Sequence, residues 1–65
     1  GYGGPADEAG LLRGDLILEV DKQQINSVEE FYSIVKTKKS YLLRIRRTQE
    51  GQSDVFMVIV LDLKN

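Results

Sequence analysis

The sequence predicts a small α+β fold: an antiparallel sheet or partial barrel around one capped amphipathic helix, with a short helical turn before it. Three stretches carry this prediction. Residues 41–47 (YLLRIRR) and 54–62 (DVFMVIVLD) are strand-like runs joined by a loop around Gly51. Residues 27–30 (SVEE) have the form of a capping box and open an amphipathic stretch. Residues 15–20 (DLILEV) have the apolar density of a short buried strand, so strands flank the helix on both sides.

The elements follow in chain order. GYGGP (1–5) reads as a loop or linker, because four of its residues are Gly or Pro. Pro5 suits a first helical position, with Asp7 and Glu8 in the acid-favouring first turn and Gly10 as the stop. After the strand to Val20, Asp21-Lys22 marks a tight turn and the chain returns through Gln24 and Ile25. The turn lacks Asn-Gly, which leaves its type open. Ser27 caps the next helix, its hydroxyl accepting from the Glu30 amide while the Glu30 side chain reaches back to the Ser27 amide. That helix is expected from about Val28 to Lys38, with Lys36, Lys38 and Lys39 at the negative end of its dipole. In the following strand Tyr41, Leu43 and Ile45 point inward, and Arg44 and Arg46 outward. From Val55 to Leu61 every residue is apolar. A half-solvated strand would alternate, so either both faces are covered or one awaits another segment.

Residues 13–15 spell RGD, a tripeptide often read as an adhesion signal. Here it sits between two aliphatic pairs, Leu11-Leu12 and Leu16-Ile17. The structural reading is favoured: Gly14 supplies a backbone conformation that other residues resist, and Asp15 accepts from nearby amides in an Asx-type turn.

Composition removes several function classes. The 65 residues allow one domain at most, with no Cys for disulfides or thiolate metal sites and no His for a general base or a Ser-His-Asp triad. The acidic pairs Asp7-Glu8 and Glu29-Glu30 fall in helix first turns, and Ser27 serves as a cap. A Ser-Lys dyad of Ser40 with Lys38 or Lys39 lacks the burial that activates such a lysine. No catalytic residue, metal site or cofactor is expected. Net charge is −1. Lys36, Lys38, Lys39, Arg44, Arg46 and Arg47 cluster in one twelve-residue window with a single aromatic, Tyr41, and no nucleic-acid motif, which reads as a solvated surface, with no nucleic-acid partner. No apolar run approaches the ~20 residues of a membrane span.

The helix carries a broad apolar arc. Phe31 and Ile34 form one stripe, and Val28, Tyr32 and Val35 another. The pattern leaves two readings: all five enter one core, or the second stripe lines a groove beside the sheet.

GGPADEAGLLRGDLILEV (3–20), SVEEFYSIV (27–35) and the paired strands YLLRIRR and DVFMVIV together resemble a PDZ domain. The variety resembles those of bacterial HtrA/Do-type (DegP-like) serine proteases; C-terminal processing and site-2-type proteases carry similar modules. The resemblance implies that residues 1–65 form a single, partial PDZ-like domain, truncated at its N-terminus. It also implies that the carboxylate-binding loop and the strand to which a peptide adds would precede Gly3. Family function is peptide binding by β-augmentation. Carried over by position, Val28 would face the third residue from the ligand's C-terminus. Tyr32 and Val35 would shape the pocket for the terminal side chain, and Lys36 would assist the carboxylate. The implied partners are peptides or unfolded-protein segments and the protease domain of the parent chain. The implied location is the periplasm or cell envelope. A truncated sheet would leave an unpaired edge, which invites homo-oligomers. The competing class is a structural or oligomerising domain without peptide binding.

Overall fold

The computed structural model describes residues 4–63, so the expected loop or linker at Gly1–Gly3 lies outside the described residues. Two helices and four strands follow in the order α1 (Pro5–Ala9), β1 (Leu16–Val20), β2 (Gln23–Gln24), α2 (Val28–Ile34), β3 (Ser40–Arg47) and β4 (Val55–Asp62). The strands form one antiparallel sheet in the order β2-β1-β3-β4, which is open rather than closed into a barrel. β2 and β4 are its edges.

Local chemistry fixes most element ends as expected. α1 has Pro5 in its first turn and stops at Gly10, whose φ of 92° lets its amide turn back to the carbonyls of Ala6 and Asp7. Gly14 has the same φ of 92° where the chain bends into β1. The Asp21-Lys22 turn has φ of 51° and 69° at two non-glycine residues, the backbone of a type I′ hairpin without its usual sequence. Asp21 tolerates this because its side chain is tied down. One carboxylate oxygen accepts from the Leu42 amide at 2.8 Å, and the other pairs with Lys38 Nζ.

Two expectations about α2 are corrected. The helix ends at Ile34, not Lys38, so Lys36, Lys38 and Lys39 lie beyond its last turn. The Ile34 carbonyl accepts from the Thr37 hydroxyl at 2.9 Å and from the Tyr41 hydroxyl at 3.0 Å. The Tyr41 oxygen in turn accepts from the Lys38 amide. These bonds redirect the chain into β3 where the helix would otherwise continue. The cap also differs in one bond. Ser27 Oγ accepts from the Glu30 amide at 3.1 Å as expected, but the Glu30 carboxylate takes the Asn26 amide, at 2.8 Å, rather than that of Ser27.

The core is one layer under the sheet. Val20, Tyr41, Leu43, Ile45, Ile59 and Leu61 are buried, and Ala9, Phe31, Ile34 and Val35 pack against them from the helices. Each such aliphatic side chain stabilises by about 1.5–3 kcal/mol when fully buried. The inward set of β3 is the one the alternation predicts. On the other face, Leu42 stands beside Val60, Arg44 beside Val58 and Arg46 beside Phe56. Among the described residues Arg44 reaches over the Phe56 ring, but the apolar members of that face stay largely exposed, Val58 by 63%. The continuous apolar run of β4 thus has one covered face and one open one.

Candidate binding groove

The groove arises because β2 is too short. It pairs with β1 only at Glu19 and Val20, and the Ile25 amide adds a bond to the Leu18 carbonyl at 3.2 Å. The chain then leaves for the Ser27 cap. Ahead of Leu18, the side of β1 opposite β3 has no paired strand among the described residues. Register on the other side shifts between Ile17 and Glu19, so Leu18 is a bulged residue at the same place. An open groove of about 570 Å³ runs along this edge. Its apolar wall comes from Ile17, Leu18, Ile25, Val28 and Phe31, and Asp15, Glu19 and Ser27 stand among its polar lining.

An ion pair holds the near end of β1. The Asp15 carboxylate accepts from Arg47 Nε at 2.9 Å, from Arg47 Nη2 at 2.8 Å and from the Leu12 amide at 2.9 Å. Arg47 Nη2 also donates to the Gly10 carbonyl at 2.9 Å. One guanidinium therefore ties the end of α1, the start of β1 and the end of β3. The Asp15 side chain is only 4% exposed and that of Arg47 17%. The Arg47 hydrogen bonds hold the Asp15 carboxyl below the ordinary carboxylate range, against the opposing pull of burial, and the Leu12 amide reinforces them. The same pairing raises Arg47. Asp21 is also lowered, chiefly by the Leu42 amide and then by Lys38. Across the sheet, Arg44 pairs with Glu19 at 3.4 Å and Arg46 with Asp54 at 3.7 Å, so both point outward as expected.

The expected site residues separate. Val28 lines the groove and is 63% exposed. Tyr32 is 58% exposed and stands beside the wall, its ring centroid 5.7 Å from that of Phe31. Val35 packs against the core as the last helical cap, and Lys36 is exposed beyond it. Gly10 and Gly14 take positive φ at turns, Asp15 accepts from the Leu12 amide, and Ser27 Oγ accepts from the Glu30 amide while the Glu30 carboxylate takes the Asn26 amide. Of the two readings of the helix, neither holds whole: Phe31, Ile34 and Val35 turn to the core while Val28 and Tyr32 stay open. Ile17, Ile25 and Phe31 are wall residues that sequence reasoning did not assign to a groove. The one signal for them was the short apolar-poor return after Asp21-Lys22. No three His, Cys, Asp or Glu side chains are grouped to hold a metal among the described residues. No described helix is long and apolar enough to cross a membrane.

The sequence profile of the PDZ domain, a protein-interaction module, matches residues 2–47, which include the groove between the β1 edge and the capped helix. The chain belongs to the PDZ domain family. It is 44% identical over 46 residues to the mitochondrial serine protease HTRA2 of Bos taurus, covering 71% of this chain and 10% of that protein. It is 41% identical over 61 residues to a probable periplasmic serine endoprotease, DegP-like, of Chlamydia trachomatis serovar D, covering 91% of this chain and 11% of that protein. A protein of the same description from Buchnera aphidicola is 34% identical over 56 residues, 86% of this chain and 12% of its own length. The chain thus spans about a tenth of the length of the curated relatives it matches. No solved structure matches it.

Proposed function

We propose that residues 1–65 are a single PDZ-like unit of a cell-envelope serine protease, which takes extended apolar polypeptide along the uncovered edge of β1, in place of the strand that the resemblance puts ahead of Gly3. The supporting observation is the uncovered edge of β1 ahead of Leu18, at Leu16 and Ile17, beside an apolar groove. Backbone bonds along that edge supply affinity, and the groove receives alternate side chains. Val28 and Phe31 hold those side chains. Tyr32 extends the apolar surface outward for a longer ligand, and Val35 and Lys36 stand at the far end of the helix, where the end of such a ligand would lie. The protease identity and the periplasmic location rest on the relatives, two of which are described as periplasmic and one as mitochondrial.

The test is amide chemical-shift mapping of the labelled chain with an apolar peptide. Binding should move Leu16–Leu18, Ile25, Val28 and Phe31, and Val28→Asp should weaken affinity by tenfold or more while leaving the fold intact. Shifts confined to β4 would instead favour an assembly domain. A specific observation supports that second reading: β4 is an edge strand whose outer face, with Phe56, Val58 and Val60, is apolar and exposed. A homo-oligomer formed there is compatible with peptide binding at β1.

A further inference from the structure

We infer that two copies of this chain join edge to edge along β4, antiparallel about a twofold axis at Ile59, and so continue one sheet through both. The inference rests on the second reading above, of β4 as an assembly surface, and not on the groove. The two edges of the sheet are built differently. β2 is two glutamines long. β4 is eight residues long and pairs with β3 without a bulge, and from Val55 to Leu61 it has no charge and no proline. Shortness, charge, proline and bulges are the devices that ordinarily keep a sheet edge from pairing with another chain. The backbone direction of β4 follows from one bond. The Leu63 amide donates to the Lys39 carbonyl, so these two residues form a hydrogen-bonded pair. Such pairs alternate along an antiparallel ladder. Leu61, Ile59 and Met57, opposite Tyr41, Leu43 and Ile45, therefore spend their backbone groups on β3. Phe56, Val58, Val60 and Asp62 direct theirs to the open edge, and the first three also carry the exposed apolar side chains.

Charge argues for a second copy as the occupant. With the axis at Ile59, Val58 faces Val60 of the second copy, Phe56 faces its Asp62, and about eight backbone hydrogen bonds form. Asp62 is exposed, makes no ion pair among the described residues and shares a cleft with Glu8, another acid. The cations it lacks stand around Phe56. Arg46 is directly opposite Phe56 on β3, and Arg44 lies over the ring, 5.7 Å from its centroid. Both are about half exposed and hold their own acids loosely, Arg46 at 3.7 Å from Asp54 and Arg44 at 3.4 Å from Glu19. Asp62 of the second copy comes to lie two strand spacings, roughly 10 Å between Cα atoms, from Arg46, a span the two side chains can close. Symmetry makes the same contact twice. An axis at Val58 would instead oppose Asp54 and Asp62, like charges that repel. α1 rests on the core side of the sheet, with Ala9 against the core, and an open cleft of about 190 Å³ lies between it and the Val60–Asp62 end of the edge. A net charge of −1 sets little repulsion between copies.

The experiment is amide hydrogen exchange of the chain from micromolar to millimolar concentration, beside sedimentation. As copies associate, the amides of Phe56, Val58 and Val60 should gain about tenfold protection or more, while those of Met57 and Ile59 are protected throughout. Asp62→Arg and Arg46→Glu should each raise the dimer Kd about threefold or more, and an equimolar mixture of the two variants should associate as tightly as the unaltered chain. Val58→Pro removes an amide that β3 does not use, and should stay monomeric with Met57 and Ile59 still protected. Association that leaves the edge amides unprotected, or a mixture no tighter than its components, overturns the strand pairing and leaves β4 as an assembly surface. A monomer at millimolar concentration overturns both and leaves the groove reading standing. Protection of the same amides in dilute chain by an alternating valine-threonine peptide, with none gained on concentrating the chain alone, overturns the second copy as the occupant and puts peptide there.

Discussion

Asp15 looks like part of a recognition tripeptide and works as a buried anchor. It accepts three hydrogen bonds, two from Arg47 and one from the Leu12 amide. Its carboxyl, and that of Asp21, are lowered by these partners. A carboxyl whose pKa falls on folding stabilises fully above its unfolded value of about 3.9 and loses that contribution as pH drops toward the folded value. Acid unfolding should therefore set in below about pH 4, and urea midpoints measured from pH 7 to pH 2 should fall steeply there. In Asp15→Asn the midpoint at pH 7 should be lower and the fall shallower. Gly14 supplies the second residue-scale prediction. Apart from its chain neighbours, no heavy atom lies within 4 Å of an added Cβ, so the penalty comes from the backbone, whose φ is 92°. Gly14→Val should cost about 1–3 kcal/mol in urea unfolding, and Gly14→Ala less.

At the scale of elements, α2 is held by its ends more than by its length. Its seven residues are too few for a stable isolated helix. Ser27→Ala should destabilise by about 1 kcal/mol, read from thermal or urea unfolding. Tyr41→Phe keeps the buried ring but removes the hydroxyl bonded to Ile34 and Lys38, and should loosen the amides from Ile34 to Lys38 in hydrogen exchange while β3 stays protected. The cap, the stop at Gly10 and the inward set of β3 were legible because each depends on neighbours within a few residues. The end of α2 was not, because it depends on Tyr41, seven residues beyond Ile34 and in the next strand. The Asp15–Arg47 and Asp21–Leu42 bonds span 32 and 21 residues, and periodicity carries no information about such partners. The groove was half legible. Val28 followed from the helix stripe, but Ile17 and Ile25 became a wall only because β2 stops after two residues.

For the whole molecule, the consequential asymmetry is between the two faces of the sheet. One covers the core, and the other exposes Leu42, Phe56, Val58 and Val60 on and beside an edge strand. Contiguous apolar surface at a sheet edge promotes pairing between chains. Sedimentation at rising concentration should show association, and Val58→Lys should suppress it without lowering the unfolding midpoint by more than about 0.5 kcal/mol, as expected at an exposed position. Leu43→Ala, on the covered face, should instead cost about 2–5 kcal/mol.

The packing of α1 on β4 sets an order of events at the ribosome. The first helix emerges roughly fifty residues before the strand it rests on. At a synthesis rate of about 5–20 residues per second, Ala9 and Leu11 wait for seconds beside nascent β1 with no core to enter. The segment from α1 onward is thus exposed to chaperones and proteases until β4 is released. Shortening that wait by slowing nothing else is impossible in a linear chain, but a circular permutant that makes β4 ahead of α1 would remove it.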